Sequence, residues 1–306
     1  MKLYSNFDLW DSNEAMVVSI GMFDGVHVGH AKVIHETVEM AKARNLKSVI
    51  ITFSNHPSDY FISNHKEKLL SSSSEKVKLI ESLGVDYLFL LPFDHFMANY
   101  SASHFVSDIL INKLNCKAIV LGYDNHFGKN REGTIEFIQT HFADQMDSKV
   151  VEAAIINQET VSSSLIKSKI ASNHIPEANQ LLGYSFELTG TVVEGNKLGR
   201  TIGFPTANLA LADANKIIPL TGVYESIVLV KGLSLNGITN IGYRPTIEDS
   251  NLIKIETHIL DFDQDIYHEV ISIQPGRKIR DEIKFESIEQ LKNQIKADLA
   301  QVHITS

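Results

Sequence analysis

The chain has a single cysteine, Cys116, so no disulfide forms within it, and that scarcity fits a reducing compartment. Cys116 leads into the apolar run Ala118 to Leu121, which marks it as a buried structural thiol. No stretch approaches the roughly 18 apolar residues that a membrane helix needs, so no membrane partner is expected. Asp8, Asp11 and Glu14 precede any apolar run, so no signal peptide is expected and the cytoplasm is the expected location. Basic residues are too few to balance acidic ones: 28 Lys and Arg stand against 37 Asp and Glu, a net charge of −9. That argues against nucleic acid as the main partner, while a local basic patch still suffices for phosphates. There is no internal repeat. Low complexity is confined to the serines at 71 to 74, which read as a loop or a helix cap. No G-x-x-x-x-G-K-[ST] occurs, so the chain has no P-loop.

What is present divides in two, as a length of 306 residues suggests. The 43% apolar and 21% charged content is that of an ordinary globular protein. Apolar runs at Ala15 to Ile20, Ser48 to Phe53, Tyr87 to Leu91 and Ala118 to Leu121 alternate with helical spacing. The helical segments are Val33 to Ala41, Glu75 to Leu83 and Ala102 to Leu114. This alternation predicts a parallel sheet covered by helices, with ligands beyond the carboxyl ends of its strands. After about Gly183 the pattern changes to short strands with Gly, Asn and Asp turns. They run Phe186 to Val193, Val223 to Val230, Ile253 to Asp261 and His268 to Ile273. These predict an antiparallel barrel or sandwich, closed by a helix at Ile288 to Leu299. Ala171 to Leu182 is the junction, with Pro176 suited to the first turn of a short helix.

Residues 195 to 208 read GNKLGRTIGFPTAN. Glycines let backbone N–H groups approach a polyphosphate, and Lys197 and Arg200 add positive charge. Thr206 and Asn208 are two apart, so on a strand both point the same way. Both are oxygen ligands that Mg²⁺ accepts beside phosphate. A Gly-rich hairpin followed by a Pro-led edge strand accounts for the spacing equally well. The loop after the first strand reads GMFDGVHVGH, Gly21 to His30. His27 and His30 flank Gly29, where a helix should begin. A helix start binds anions, and two histidines there would stabilise charge on a transferred phosphorus. Satisfied core histidines remain open, and a metal pair would need further ligands that are not obvious nearby.

Both stretches resemble known families. From 184 to 306 the chain resembles the riboflavin kinases. The matches are Gly199-Arg200, then Gly203 to Asn208, Gly222-Val223-Tyr224, NIGYRPT from Asn240, IETHILDF from Ile255, Asp265-Ile266-Tyr267, and IRDEIKFES from Ile279. The H-x-G-H of His27 to His30 resembles the α/β nucleotidylyltransferases. Phe23-Asp24-Gly25, TFSNHPSDYF from Thr52, GYDNHFGKNREG from Gly122 and VSSSLIKSK from Val161 are similar to the adenylyltransferase module of bacterial bifunctional riboflavin kinase/FAD synthetases.

The resemblance implies a Rossmann-like α/β nucleotidylyltransferase domain at 1–183. A β-barrel riboflavin kinase domain with a C-terminal helix follows at 184–306. It implies riboflavin, FMN, FAD and ATP/ADP as ligands and Mg²⁺ as the metal, and leaves a homo-oligomer open. Glu256 would be the kinase base. Thr206 and Asn208 would hold metal and phosphate, Lys197, Gly199 and Arg200 the ATP phosphates, and Arg280 would order the flavin loop. In the first domain, His27 and His30 would stabilise the five-coordinate phosphorus. Gly21, Phe23, Asp24 and Gly29 would line the nucleotide. Ser162, Ser163, Ser164 and Lys167 would cradle pyrophosphate, with Asn55, His56 and Asp124 toward the flavin.

The chain also departs from the pattern. Asn55 stands where a proline is usual, a change that loosens a loop. Asn125 and His126 replace the usual Phe or His and Arg. Ser164, Leu165 and Lys167 follow a Ser-Ser-Thr-type motif whose basic fork is lost. The alternative is therefore a riboflavin kinase with a weakened or inactive adenylyltransferase domain.

Overall fold

The computed structural model describes residues 1–62, 66–195, 198–243 and 253–302. Contacts divide the chain into two compact units, Met1–Ser163 and Ser164–Ser306.

The first unit is built on β1 (Lys2–Tyr4), β2 (Met16–Ile20), β3 (Lys47–Phe53), β4 (Tyr87–Leu91), β5 (Cys116–Gly122) and β6 (Asp147–Val151). They form one parallel sheet in the order β1-β4-β3-β2-β5-β6, with β1 and β6 at its edges. Side chains alternate across a strand, so each strand feeds two cores. Met16, Val18, Ile51 and Phe89 pack on one side with Phe105 and Leu110. Val17, Ile50, Leu88 and Val120 pack on the other with Ile34 and Val38 of α1 (Val28–Ala43). The chain winds from β2 through β3 to β4, then returns to place β5 on the other side of β2. That reversal opens a crevice at the carboxyl ends of β2 and β5, the usual ligand position in such sheets.

The serines do cap a helix: Ser72 Oγ accepts from Glu75 N–H and Glu75 accepts from Ser72 N–H, starting the helix Ser73–Ser82. The segment expected as one helix from Ala102 is a single α turn, Ala102–His104, that continues as a π-helix, Phe105–Lys113. Leu114 N–H accordingly reaches back five residues to Ile109 C=O at 2.9 Å. A two-stranded hairpin, β7 (Ile155–Ile156) and β8 (Glu159–Thr160), follows the sheet.

The second unit begins with the helices Ser163–Ala171 and Ile175–Leu182; Pro176 sits in the first turn of the latter. Ile175, Ala178, Leu181 and Leu182 are buried, and Asn179 Oδ1 accepts from Phe186 N–H at 2.8 Å. Then come β9 (Leu188–Val193), β10 (Ala207–Leu211), β11 (Gly222–Val230), β12 (Leu233–Tyr243), β13 (Ile253–Ile259) and β14 (Val270–Arg280). These close an antiparallel barrel in the order β10-β13-β12-β11-β14-β9. Its buried residues include a row of hydroxyls, Ser226, Thr239 and Thr257, bonded in sequence at 2.7 and 3.0 Å. The helix Ile288–Leu299 ends the unit. Its buried Asp298 grips Arg280 of β14, with Nε at 3.0 Å from both carboxylate oxygens and Nη2 at 2.8 Å from Oδ2.

Candidate functional sites

In the first unit the loop after β2 makes a tight reversal. Phe23, Gly25 and Val26 all have positive φ, and at Gly25, φ +76°, the absence of a side chain makes that conformation free of strain. His27 then caps α1, its Nδ1 accepting from His30 N–H at 3.3 Å. The two imidazoles stack with centroids 3.6 Å apart, and the Phe23 ring meets His30 edge-on at 5.3 Å. Burial pushes the His27 pKa down to about 4, against the pull of Asp24 and Asp124. Burial, His27 and Lys76 hold His30 well below the ordinary histidine range. Both rings are therefore neutral at pH 7, and His30 Nδ1 is buried without a hydrogen-bond partner among the described residues.

Asp24 is buried, and its Oδ1 accepts from Leu70 and Ser71 N–H at 2.8 and 3.3 Å. Its carbonyl accepts from Ser163 Oγ at 3.1 Å, so Ser163 braces the loop. Gly21 and Gly29 are packed against the Phe23 and His27 rings respectively. Across the crevice, Asp124 is exposed after β5, and the Asn125 amide donates to Ile20 C=O, bridging the ends of β5 and β2. His126 Nδ1 contacts Asp124 O at 2.8 Å and Arg131 Nη2 at 3.3 Å. An arginine therefore reaches the position from five residues further on.

The expectation that Asn55 loosens its loop is corrected here. Its amide donates to Phe93 C=O at 3.0 Å and accepts from Phe93 N–H at 2.8 Å. The side chain thus pins the loop after β3 to the loop after β4. His56 Nδ1 accepts from Ser58 N–H at 3.2 Å and lies 2.6 Å from Ser58 Oγ. Beside them stands an aromatic group that the sequence reading missed: Tyr60, Phe61 and Phe96 are exposed, and Tyr60 and Phe61 lie 6.3 and 6.1 Å from the Phe93 ring. Ser162 belongs to this unit; Ser164 and Lys167 lie on the helix Ser163–Ala171, which falls largely in the second unit.

In the barrel, Thr206 and Asn208 lie where β10 begins, and Asn208 stands directly opposite Glu256 of β13. Ile255, Thr257 and Ile259 point into the barrel, which leaves Glu256 and His258 on the outer face, partly buried. Lys254 Nζ pairs with Glu256 Oε1 at 2.7 Å. Asn208 is 8% exposed, and its Oδ1 is buried without a hydrogen-bond partner among the described residues. Gly195 lets the backbone pass close by, since a Cβ there would lie 2.3 Å from Asn208 Nδ2. His258 Nδ1 donates to Pro205 C=O at 2.7 Å, with Phe204 edge-on to its ring, so His258 fixes the entry to β10.

An open cleft of about 170 Å³ is lined by Arg200, Pro205, Thr206, Thr257 and the segment Phe262 to Tyr267. It joins Arg200 to Thr206. Gly199, Asn208, Glu256 and Arg280 do not line it. Lys197 lies outside the described residues, as do Arg244 to Thr246 of the NIGYRPT run. Arg280 pairs with Asp298 rather than with neighbouring acids. Its Nη1 also donates to Asp281 C=O at 2.9 Å, and its guanidinium lies 5.8 Å from the Phe285 ring, so its contacts run into the segment that follows. Among the described residues no group of three His, Cys, Asp or Glu is placed to hold a metal.

A family model for FAD synthetase matches residues 10–165, and one for riboflavin kinase matches residues 182–305. The chain is 35% identical over 290 residues to a bifunctional riboflavin kinase/FMN adenylyltransferase of Haemophilus influenzae, covering 94% of this chain and 92% of that one. It is also 35% identical over 285 residues to the protein of that description in Bacillus subtilis, covering 92% and 90%. A crystal structure described as a macrolide-efflux protein from Streptococcus pneumoniae superposes with a TM-score of 0.89. It is 31% identical, and the match covers 100% of this chain and 99% of that one. Among the described residues no helix is long and apolar enough to cross a membrane. With both domain matches in order and this identity over nearly the whole length, the chain belongs to the bifunctional riboflavin kinase/FMN adenylyltransferase family.

Proposed function

We infer how two sites divide the work of a bifunctional flavin-cofactor enzyme. The chain is a riboflavin kinase and an FMN adenylyltransferase: it phosphorylates riboflavin to FMN with ATP, then adenylylates FMN to FAD. The chemistry is assigned to 1–183 for adenylyl transfer and 184–306 for the kinase.

The observation that carries the kinase assignment is the row Asn208–Glu256, in which an orphaned amide oxygen faces a carboxylate across the ladder. Two neutral oxygens cannot hold a divalent cation alone, but they fit one whose other ligands are nucleotide phosphates and water. Thr206 and Asn208 would hold Mg²⁺ there, and it would neutralise charge on the phosphates. Glu256 takes the proton of the riboflavin 5′-hydroxyl as that oxygen bonds to the γ-phosphorus and the bond to ADP breaks. Lys254 must give up part of its hold on Glu256 for this. Arg200 supplies a cation to the phosphates from the cleft wall, and the segment Phe262 to Tyr267 encloses the nucleoside.

In the adenylyltransferase half, an FMN phosphate oxygen attacks the α-phosphorus of ATP and pyrophosphate leaves, without a covalent enzyme intermediate. His27 and His30, neutral at rest, gain hydrogen-bonding and protonation capacity when a polyphosphate enters at the start of α1. Asn55, His56 and Asp124 border the flavin side, where Tyr60, Phe61 and Phe96 offer faces for an isoalloxazine ring. Ser164 and Lys167 are assigned to pyrophosphate on the sequence motif alone.

The test is to incubate the protein with riboflavin, ATP and Mg²⁺ and resolve FMN from FAD by chromatography. Glu256→Gln should slow FMN formation by about 10²–10⁴-fold while FAD formation from supplied FMN is unchanged. A Glu256→Gln protein that makes FMN at the parental rate removes Glu256 from the chemistry.

A further inference from the structure

The Phe23–His30 turn is shaped by a segment far from it in sequence. Leu70 and Ser71 N–H hold Asp24 Oδ1, and Ser71 Oγ accepts from Gly25 N–H at 3.0 Å. The Ser72–Glu75 capping box then fixes the first turn of the next helix and so sets the position of Lys76. Lys76 is only 2% exposed. Its ammonium donates to Met22 C=O at 2.9 Å and to Phe53 C=O at 2.8 Å. Thr52 Oγ1 donates to the same Met22 carbonyl at 2.9 Å. The two carbonyls belong to different strand ends. Met22 begins the turn that carries His27 and His30, and Phe53 closes β3 just before Asn55 and His56. A buried ammonium is costly unless its donors are used, so a lysine in this place implies a demand on the backbone it binds.

We propose that Lys76 is a positioning residue for adenylyl transfer: its ammonium locks the histidine turn to the end of β3, fixing the spacing between the phosphate side and the flavin side of the site. The inference rests on the adenylyltransferase reading of this unit. Lys76 also acts on His30 through space. Burial above all, then the neighbouring His27 and the charge of Lys76, disfavour a proton on His30, while Asp24 and Asp124 act in the opposite sense on His27. Lys76 therefore adds its charge to the burial that keeps His30 neutral until an anionic phosphate arrives.

The experiment uses the full-length protein with Lys76→Met, Lys76→Gln and Lys76→Arg. FAD synthesis from FMN and ATP is measured with kcat and KM separated, over a range of pH, with riboflavin phosphorylation assayed in the same preparations. In Lys76→Met, kcat for FAD should fall about 10–100-fold, the scale of a misplacement of about an ångström. FMN formation should stay within about twofold. The pH limb governed by His30 should move to higher pH, because a like charge has been removed. Lys76→Arg should recover much of the rate and keep the parental limb. If Lys76→Met does not fold, Lys76→Gln, which keeps a donor and loses the charge, carries the same test. Parental FAD synthesis in the uncharged variants overturns the proposal, and so does a loss of FAD synthesis with an unmoved pH limb. A parent enzyme that makes FMN but no FAD would instead overturn the adenylyltransferase reading itself.

Discussion

Replacing Asp298 with alanine removes the group that holds the terminal helix to the barrel. The Asp298 side chain is 2% exposed and that of Arg280 17%, so the pair is shielded from water. Asp298 accepts three contacts from Arg280 and one more, at 2.8 Å, from Gln294. Truncation leaves a guanidinium in a poorly solvated place with no counter-charge, a change that typically costs about 3–5 kcal/mol. For a unit of this size each kcal/mol lowers Tm by about 3 °C, so the barrel transition should fall by about 9–15 °C. Differential scanning calorimetry reads this directly. Because Arg280 also holds Asp281 C=O and faces Phe285, KM for riboflavin should rise in the same variant. The double variant Arg280→Met, Asp298→Leu supplies the control. Apolar groups in place of a buried ion pair are often neutral or stabilising, so most of the Tm should return. A drop below about 3 °C in Asp298→Ala, or a double variant as unstable as the single, refutes the reasoning.

Three further outcomes follow from the same structure. His27 has a folded-state pKa near 4 against about 6.5 when unfolded, so only the unfolded chain takes up its proton between those values. Stability of the first unit should therefore be flat above pH 7 and fall by about 3 kcal/mol as pH drops from 6.5 to 4. Urea titrations should show His27→Gln to be less sensitive. Asn55→Pro should slow FAD synthesis rather than speed it. It removes both bonds to Phe93, each worth about 1 kcal/mol, and a faster variant would show that the pinning is incidental. A fragment beginning at 164 should unfold cooperatively and phosphorylate riboflavin. One beginning at 184 should be weaker by several kcal/mol, because it lacks the buried apolar face of the helix Ile175–Leu182; equal denaturation midpoints for the two would count against that.

The sequence made legible those features that depend on local pattern. Apolar runs in strands buried on both faces place β2 to β5 within a residue or two, because a parallel sheet covered by helices needs continuous apolar strands. β1 and β6 were not legible: one is three residues long, and the other reads DSKVV, with charges where a buried strand would be apolar. The π-helical winding after His104 has no signature in residue spacing. At the sites, Ile255, Thr257 and Ile259 alternate along β13 with Glu256 and His258, a pattern that the residues themselves carry. Partners distant in sequence were hidden. Arg280 finds Asp298 across 18 residues rather than its neighbouring acids, Asn55 finds Phe93 across 38, and Lys76 finds Met22 across 54. A motif letter such as Asn55 reads as a defect until the partner that answers it is known.

The two sheets meet the solvent differently, and this bears on how the protein fails under stress. Among the described residues the closed barrel offers no unpaired strand, whereas the parallel sheet ends in two open ladders, β1 and β6. Those ends are guarded by brevity on one side and by charge on the other: β1 has three residues, and β6 carries Asp147 and Lys149, paired with Arg44 and Glu36. Aggregation on heating or overexpression should therefore start in the first unit. Neutral β-branched residues at 147 and 149 would turn an inert border into a template for intermolecular strand pairing, while matching changes on the barrel wall would leave the protein dispersed.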